Sequence, residues 1–496
     1  MKKILVSLVV ILIILFNLFM FSCSSNDNSS NETRTDNAAD NISDSADIES
    51  GFAEPVKQAR IFADDDLGEW NFGGYTFKLL SRESGYINVE EQTGDVLDDS
   101  MYYRNRKIEE RFNITITEML LSGWDMNPAR RSLLANDNAY DMMIIRCPDA
   151  YVYAQQGLIH SINALPYVDL DKPYWDKWLT SQWSIANKSY FASGALDLPA
   201  YTCAFAMLFN KQIVAELALE DLYNLAQEGK WTFDKFEEMG KLAKKDLDGN
   251  GIFDVNDRYG YLAVRREISP GFWISGGVKS IKKDADDIPY LTAIEEKFVN
   301  VFDKLVGVTL KSGVWYEAEK PDELNDPLLL EMFKNGKGLF YDTPIGEIPN
   351  LRDMEIDFGI LPYPKYDEVQ EQYYTRLGWA ELMCIPLYCD EKALERTSVI
   401  LESLTCESAK SVIPVYYDIA LKTKHARDEE SEAMIDLIFD SRVFDFGDTI
   451  WTEYIRNTIS DIFQTKSDTL ISQMEKIAPK LQKTIDGMVE AFLKLD

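Results

Sequence analysis

The chain has 496 residues, 46% of them hydrophobic and 12% aromatic against 27% charged, which is enough apolar material for one or two large cores and speaks against disorder throughout. Lys and Arg number 51, Asp and Glu 83, for a formal net charge of −32; so acidic a surface repels phosphate backbones and makes nucleic acid a poor partner. With only His160 and His425 and no HExxH, GxSxG, GxxxxGK[ST], GxGxxG or CxxC spacing, histidine-based metal chemistry is nearly excluded, and an enzyme on this chain would have to work with carboxylates.

At the amino end Lys2 and Lys3 precede an apolar run from Ile4 to Phe21, broken only by Ser7 and Asn17, and Ser22-Cys23 opens a polar tract. This is the pattern of a secretion signal. A small residue followed at once by Cys resembles the lipobox of bacterial lipoproteins, with Met20 where lipoboxes usually carry Leu. The resemblance implies a signal peptide over residues 1–22, cleaved before Cys23, whose sulfur then carries diacylglycerol; the alternative is an uncleaved membrane helix. Both place the folded part outside the cytoplasmic membrane. Residues 23–56 are rich in Ser, Asn, Asp, Thr and Ala and too poor in apolar groups to repay ordering, so they read as a disordered tether.

The body alternates strands and helices. Tyr75–Leu80 reads as a strand after Gly73-Gly74, Asp98–Phe112 as a helix, the run from Ile114 and Tyr140–Ile145 as further strands, and Tyr151–Leu158 as a helix up to Gly157. Such β-α-β alternation implies an α/β fold with a mostly parallel sheet. The pattern restarts with a strand over Ala204–Phe209, a helix near Ile213–Leu217, and a helix over Trp231–Lys244 with Thr232 as its cap, which makes a second α/β lobe. The carboxyl region, Trp451–Leu495, is charged and amphipathic, as terminal helices are.

Directly after the Trp231 helix, Asp246-Leu-Asp-Gly-Asn-Gly-Ile-Phe-Asp-Val-Asn-Asp places oxygen donors at positions 1, 3, 5, 9 and 12 of a twelve-residue loop with Gly251 at position 6. That is the EF-hand pattern for Ca²⁺, which needs six to eight oxygens. Asp246, Asp248 and Asn250 would offer side-chain oxygens, Ile252 its carbonyl, Asp254 a direct or water-mediated oxygen, and Asp257 the closing carboxylate in place of the usual bidentate Glu. The ion's role would be structural; the alternative is a solvated Asp/Gly turn. After Cys23 the chain keeps Cys147, Cys203, Cys384, Cys389 and Cys406, an odd number set among apolar neighbours, which reads as buried free thiols and as an exterior that is reducing or oxygen-free.

Several segments, in order, resemble the extracellular solute-binding proteins of ABC transporters, in their sugar-binding branch: Tyr140-Asp-Met-Met-Ile-Ile, Ala154-Gln-Gln-Gly-Leu-Ile-His-Ser-Ile, Phe205-Ala-Met-Leu-Phe-Asn-Lys, Trp231-Thr-Phe-Asp-Lys-Phe, Phe358-Gly-Ile-Leu-Pro-Tyr-Pro and Leu377-Gly-Trp-Ala-Glu-Leu. The resemblance implies a two-lobed type 2 periplasmic-binding fold, each lobe a mostly parallel sheet flanked by helices and the lobes joined by several crossings. Lobe 1 would take residues 57–197 and 376–410, lobe 2 residues 198–375 and 411–496. It also implies a lipid-anchored monomer that captures a carbohydrate, an oligosaccharide in this branch, and hands it to the transmembrane subunits of a permease.

A sugar pocket pairs aromatic platforms with hydrogen-bonding side chains. Trp273 in the Gly-rich Pro270–Gly277 stretch, Tyr341 after Gly338-Leu-Phe, Trp379 at the return to lobe 1 and Trp451 at a late helix are the candidate platforms, with Trp124 a weaker one. Arg82 and Glu83 end the first strand, Arg146 and Asp149 the third, and Asp197 with Tyr201 precede the crossing; ligands of open α/β sheets sit at such strand ends. Each aromatic could instead be a core ring, and each charge a solvated loop or ion pair. Arg82 and Arg146 would suit an acidic sugar, though a neutral one fits equally. Two other readings stay open: a secreted carboxylate enzyme acting on carbohydrate, and a peptide-binding or adhesion module on the same fold.

Overall fold

The computed structural model describes residues 63–82, 87–121, 123, 125–316, 327–421, 429–465 and 469–495. Residues 1–22, Cys23, the tether, Glu83 and Trp124 lie outside them.

Two main sheets organise the body. The first contains β1 (Tyr75–Arg82), β2 (Ile114–Leu121), β3 (Met142–Arg146) and β12 (Glu381–Cys384) in the order β12-β3-β1-β2. The second contains β4 (Phe205–Asn210), β5 (Tyr259–Leu262), β8 (Trp315–Tyr316), β9 (Gly338–Pro344) and β10 (Phe358–Leu361) in the order β10-β4-β9-β5-β8. Two small ribbons pair β6 (Ile281–Lys283) with β7 (Pro289–Leu291) and β11 (Thr375–Arg376) with β13 (Arg442–Val443).

Each main sheet is parallel except for one strand. β12 runs antiparallel to β3, and β4 runs antiparallel to both β9 and β10. The two reversed strands are the ones that follow a crossing. Each crossing enters its new sheet at the carboxyl ends of the parallel strands there, so the strand laid down next runs the other way: Phe205 of β4 pairs with Pro344 at the end of β9, and Glu381 of β12 pairs with Arg146 at the end of β3.

Local chemistry supports these elements. The helix Val96–Phe112 starts at Asp95, whose carboxylate accepts the Leu97 and Asp98 N–H groups, and stops at Asn113 in the left-handed region, from which β2 departs. The helix Phe233–Ala243 is capped by Thr232, and the fully buried Trp231 before it donates its indole N–H to the Pro362 carbonyl at 3.0 Å. That helix sits on β5 at two glycines: a Cβ on Gly260 would lie 2.5 Å from the Gly240 Cα, so the contact requires glycine at position 260. β3, β4 and β9 are buried almost from end to end because their sheets are covered on both faces.

The Gly-rich stretch around Trp273 is not a loop. Arg265–Ser275 is a helix with Pro270 inside it and nearly every residue buried. Its glycine is there for packing: a Cβ on Gly271 would come within 2.5 Å of the Tyr363 ring. Tyr341 likewise lies inside β9 rather than in a cleft-edge loop, and Trp451 precedes the helix Arg456–Thr465 instead of opening it.

All five described cysteines are buried and free, and burial pushes the thiols of Cys147, Cys203 and Cys389 up to about 12. Such thiols are poor nucleophiles. We expect the native body, taken from Val56 onward, to react with no more than a trace of a thiol reagent, and the denatured body to release all five; a count of three or fewer would show that disulfides form.

Candidate functional site

The strand ends converge on one cavity of about 190 Å³. From the first sheet come Arg82 at the end of β1, Arg146 with Cys147 and Pro148 at the end of β3, and Glu381 at the start of β12. The returning crossing adds Gly378, Trp379 and Ala380. The opposite wall is Arg266, just past β5, with Asp448, Thr449, Thr452 and Arg456 from the segment after β13.

The wall is built of ion pairs. Arg82 Nε donates to Glu381 Oε1 at 2.7 Å, Arg146 lies 3.1 Å from Asp149, Arg266 Nε donates to Glu267 Oε1 at 2.9 Å, and Arg456 donates to Asp448 Oδ1 at 3.1 Å. Beneath them Arg376, with no exposed surface, holds Asp448 through two bonds of 2.7 and 3.0 Å and Glu267 through one of 2.5 Å. Burial alone would push the Glu267 carboxyl up, but Arg376, Arg456 and Arg266 outweigh it and hold it at about 2. At Glu381 the balance is reversed, since burial outweighs the pull of Arg82 and raises the carboxyl above its ordinary range. Among the side chains that line the cavity, two buried polar atoms find no hydrogen-bond partner among the described residues: Glu381 Oε2 and Arg456 Nε. An unmet acceptor and an unmet donor in one cavity are what a hydroxyl-bearing ligand, itself both donor and acceptor, can satisfy. The half-buried ring of Trp379, set edge-on against Phe205 at 5.8 Å, supplies an apolar face beside them.

Of the residues singled out in the sequence, the structure therefore brings together Arg82, Arg146 and Trp379, with Asp149 bound to Arg146. The others are elsewhere. Trp273 is fully buried with its indole N–H on Asp445 at 3.0 Å, Trp451 is 3% exposed and stacks on Phe446, and Tyr341 is 5% exposed and stacks on Phe333; these rings are core, and none offers a face to a ligand. Tyr201 packs edge-on against Phe439 under the Arg442 guanidinium. Asp197 is 1% exposed and accepts the Ser193 hydroxyl at 3.2 Å, burial pushes its carboxyl up, and it lies outside the cavity lining.

Sequence reasoning missed Arg266, Glu381, Asp448 and Arg456. The strand-end rule could have found two of them, because Glu381 stands at the reversed end of β12 and Arg266 follows β5 at once. Asp448 and Arg456 carry no local signal, since only β13 pairing with β11 brings that late segment to the cleft.

The acidic loop after the Trp231 helix closes on itself through the bridge between Lys245 and Arg258. Carboxylate oxygens of Asp246, Asp248 and the fully buried Asp257 lie within 4.8 Å of one another. Gly249 and Gly251 donate their N–H groups to Asp246 at 2.7 and 2.8 Å, and Leu247 and Asp254 donate theirs to Asp257 at 2.8 and 2.9 Å. The Gly251 N–H, ahead of the other donors, holds the Asp246 carboxyl below its usual range. Gly251 adopts the left-handed turn, at φ 78°, that position 6 of such a loop requires. Asp254 stands apart from the carboxylate trio and accepts the Asn256 N–H. The donor set fits a hard divalent cation.

No protein-family model and no curated protein sequence matches the chain. Solved structures do. An ABC substrate-binding protein from Listeria monocytogenes in complex with cycloalternan aligns with a TM-score of 0.54 at 13% identity, covering 83% of this chain and 99% of that one. The maltose/maltodextrin-binding domain from Bdellovibrio bacteriovorus bound to maltotriose aligns at 0.53 and 12% identity over 82% and 100% of the two chains. A Mycobacterium tuberculosis protein in complex with glycerophosphocholine aligns at 0.55 and 14% identity over 84% and 99%. These likenesses establish the two-lobed fold.

Replacing Arg376 by Gln leaves Glu267 and Asp448 buried without their shared counter-charge. The expected loss is about 3–5 kcal/mol, read as a lower urea midpoint with an unchanged slope; an unchanged midpoint would show that the bridge carries no stability.

Proposed function

We propose that this chain, with the two-lobed fold of ABC-transporter substrate-binding proteins, captures a carbohydrate in the cleft at Trp379 and delivers it to the transmembrane subunits of a permease, with no bond made or broken. The observation that supports this most directly is the pair of unmet polar atoms, Glu381 Oε2 and Arg456 Nε, beside a half-buried indole in a cavity walled by both sheets' strand ends. The neighbours bound to cycloalternan and maltotriose favour an oligosaccharide. At about 190 Å³ the cavity is smaller than the roughly 300–1,000 Å³ of pockets that engulf drug-sized ligands. An oligosaccharide therefore enters by one residue, or when the lobes part, and its contacts to both walls favour the closed form. Glu381 and Asp448, the two carboxylates of the cavity, are each bound to an arginine, which suits recognition better than acid–base work on a glycosidic bond. Cys23 with the tether would hold the body as a lipid-anchored monomer at the extracytoplasmic face of the membrane. The loop Asp246–Asp257 would bind Ca²⁺ through Asp246, Asp248 and Asp257, with Asn250, Ile252 and Asp254 completing the shell, and clamp the end of the Trp231 helix to β5.

A melting screen of the body in Ca²⁺, against neutral and acidic oligosaccharides, monosaccharides and short peptides, tests the capture reading. A sugar at about 100 times its Kd adds about 2.7 kcal/mol; we expect such a shift, its loss in Trp379→Ala, and recovery of the sugar intact. Cleaved product or a response to peptides alone would overturn it. For the loop, calorimetry on chelated protein is expected to show saturable heat and a higher melting temperature on adding Ca²⁺, both abolished in Asp246→Asn; silence in both measurements removes the ion.

A further inference from the structure

The charges of the cavity are not arranged evenly. Of its lining side chains, four are arginines and two are carboxylates. The carboxylates are hidden: Glu381 is 4% and Asp448 0% exposed. The guanidinium side chains stand in front of them, at 17% for Arg82, 26% for Arg146, 34% for Arg266 and 11% for Arg456. Every one of the four has a carboxylate partner, yet each partner other than Asp149 lies behind its arginine, and Arg376 takes a second share of both Glu267 and Asp448. Arg266, Arg376 and Arg456, three guanidinium groups, therefore share two carboxylates, Glu267 and Asp448. A solute entering this cavity meets N–H donors of positive groups, inside a protein whose overall charge is −32.

Resting on the capture reading above, we infer that the solute carries an anionic group, the carboxylate of a uronic acid residue or a sugar sulfate, and that Arg266 and Arg456 bind it. Guanidinium presents planar paired donors that match a carboxylate or sulfate edge, and such charge-assisted bonds are about twice as strong as neutral ones. Arg456 is suited to the task because its Nε is buried and without a partner while its terminal nitrogen is fixed on Asp448, so the side chain is already oriented. Arg266, the most exposed of the four, is held by its own Nε on Glu267 and lines the opposite wall. The neutral remainder of the sugar would lie along Trp379.

The test is calorimetry on the full chain, at constant ionic strength so that general screening cancels, with matched probes: galacturonate trisaccharide against galactotriose, glucuronate against glucose, and sulfate as the bare anion. The inference expects saturable binding of the anionic member of a pair, at least tenfold tighter than the neutral one, and a loss of about tenfold in Arg266→Gln and in Arg456→Gln. The melting temperature of each variant without ligand reports its folding, and Arg266→Gln, the more exposed site, decides if Arg456→Gln does not fold. Neutral sugars bound as tightly as acidic ones, or affinities unchanged in the variants, overturn the anionic subsite and leave carbohydrate capture standing. Saturable sulfate binding lost in the variants, with no sugar bound, keeps the subsite and overturns the carbohydrate. Silence toward every probe, sulfate included, overturns the subsite.

Discussion

Arg376 is a full positive charge with no exposed surface, and the cleft exists in its present form because that charge must be answered. Taking an ion of this size out of water costs several kcal/mol even after relaxation, and only well-placed counter-charges repay it. Its answers come from far apart in the chain. The guanidinium sits on β11, Glu267 on the helix after β5, and Asp448 in the short helix Phe446–Thr449 after β13, so one side chain ties together three of the segments around the cavity. Asp448 is also the partner of Arg456, which means that the outer wall takes its orientation from the inner bridge. The cation also lies over the Phe205 ring at 4.4 Å, at the first residue of the strand that enters the second sheet.

Much of the fold was legible because its signals are local. Periodicity located β1, β2, β3 and β4 and the helices Val96–Phe112 and Phe233–Ala243 to within a few residues, and the Thr232 cap was read correctly. The order of short motifs pointed to two lobes. The site was only partly legible. Topology places ligands at strand ends, and so Arg82 and Arg146 could be named without seeing the structure. Trp273 went wrong because glycine and proline were taken as signs of an irregular segment; Gly271 is instead small so that Tyr363 can press against a helix. Trp273 and Trp451 show the same limit from another side. An indole that serves a cleft and one that fills a core have the same sequence signature, and only their surroundings, here Asp445 and Phe446, separate them.

The acidic exterior and the cationic cavity are two sides of one arrangement. A large excess of carboxylates makes the molecule as a whole repel anions. Against that background the cavity lining carries four arginines and two carboxylates. Low-dielectric walls and buried counter-ions sharpen that contrast, so selectivity by charge can coexist with a strongly negative molecule.

The strand β12 has a consequence for how the protein reaches its native state. It pairs Glu381 with Arg146, closing the first sheet with residues made long after the rest of that sheet. In chain order, β3 is left with one edge open until the whole second sheet has been made. Contacts of such long sequence separation are slow to form, and an open apolar edge is where unwanted pairing begins. The first sheet and the cavity wall that Glu381 supplies are therefore complete only when residues from beyond the second sheet have joined β3.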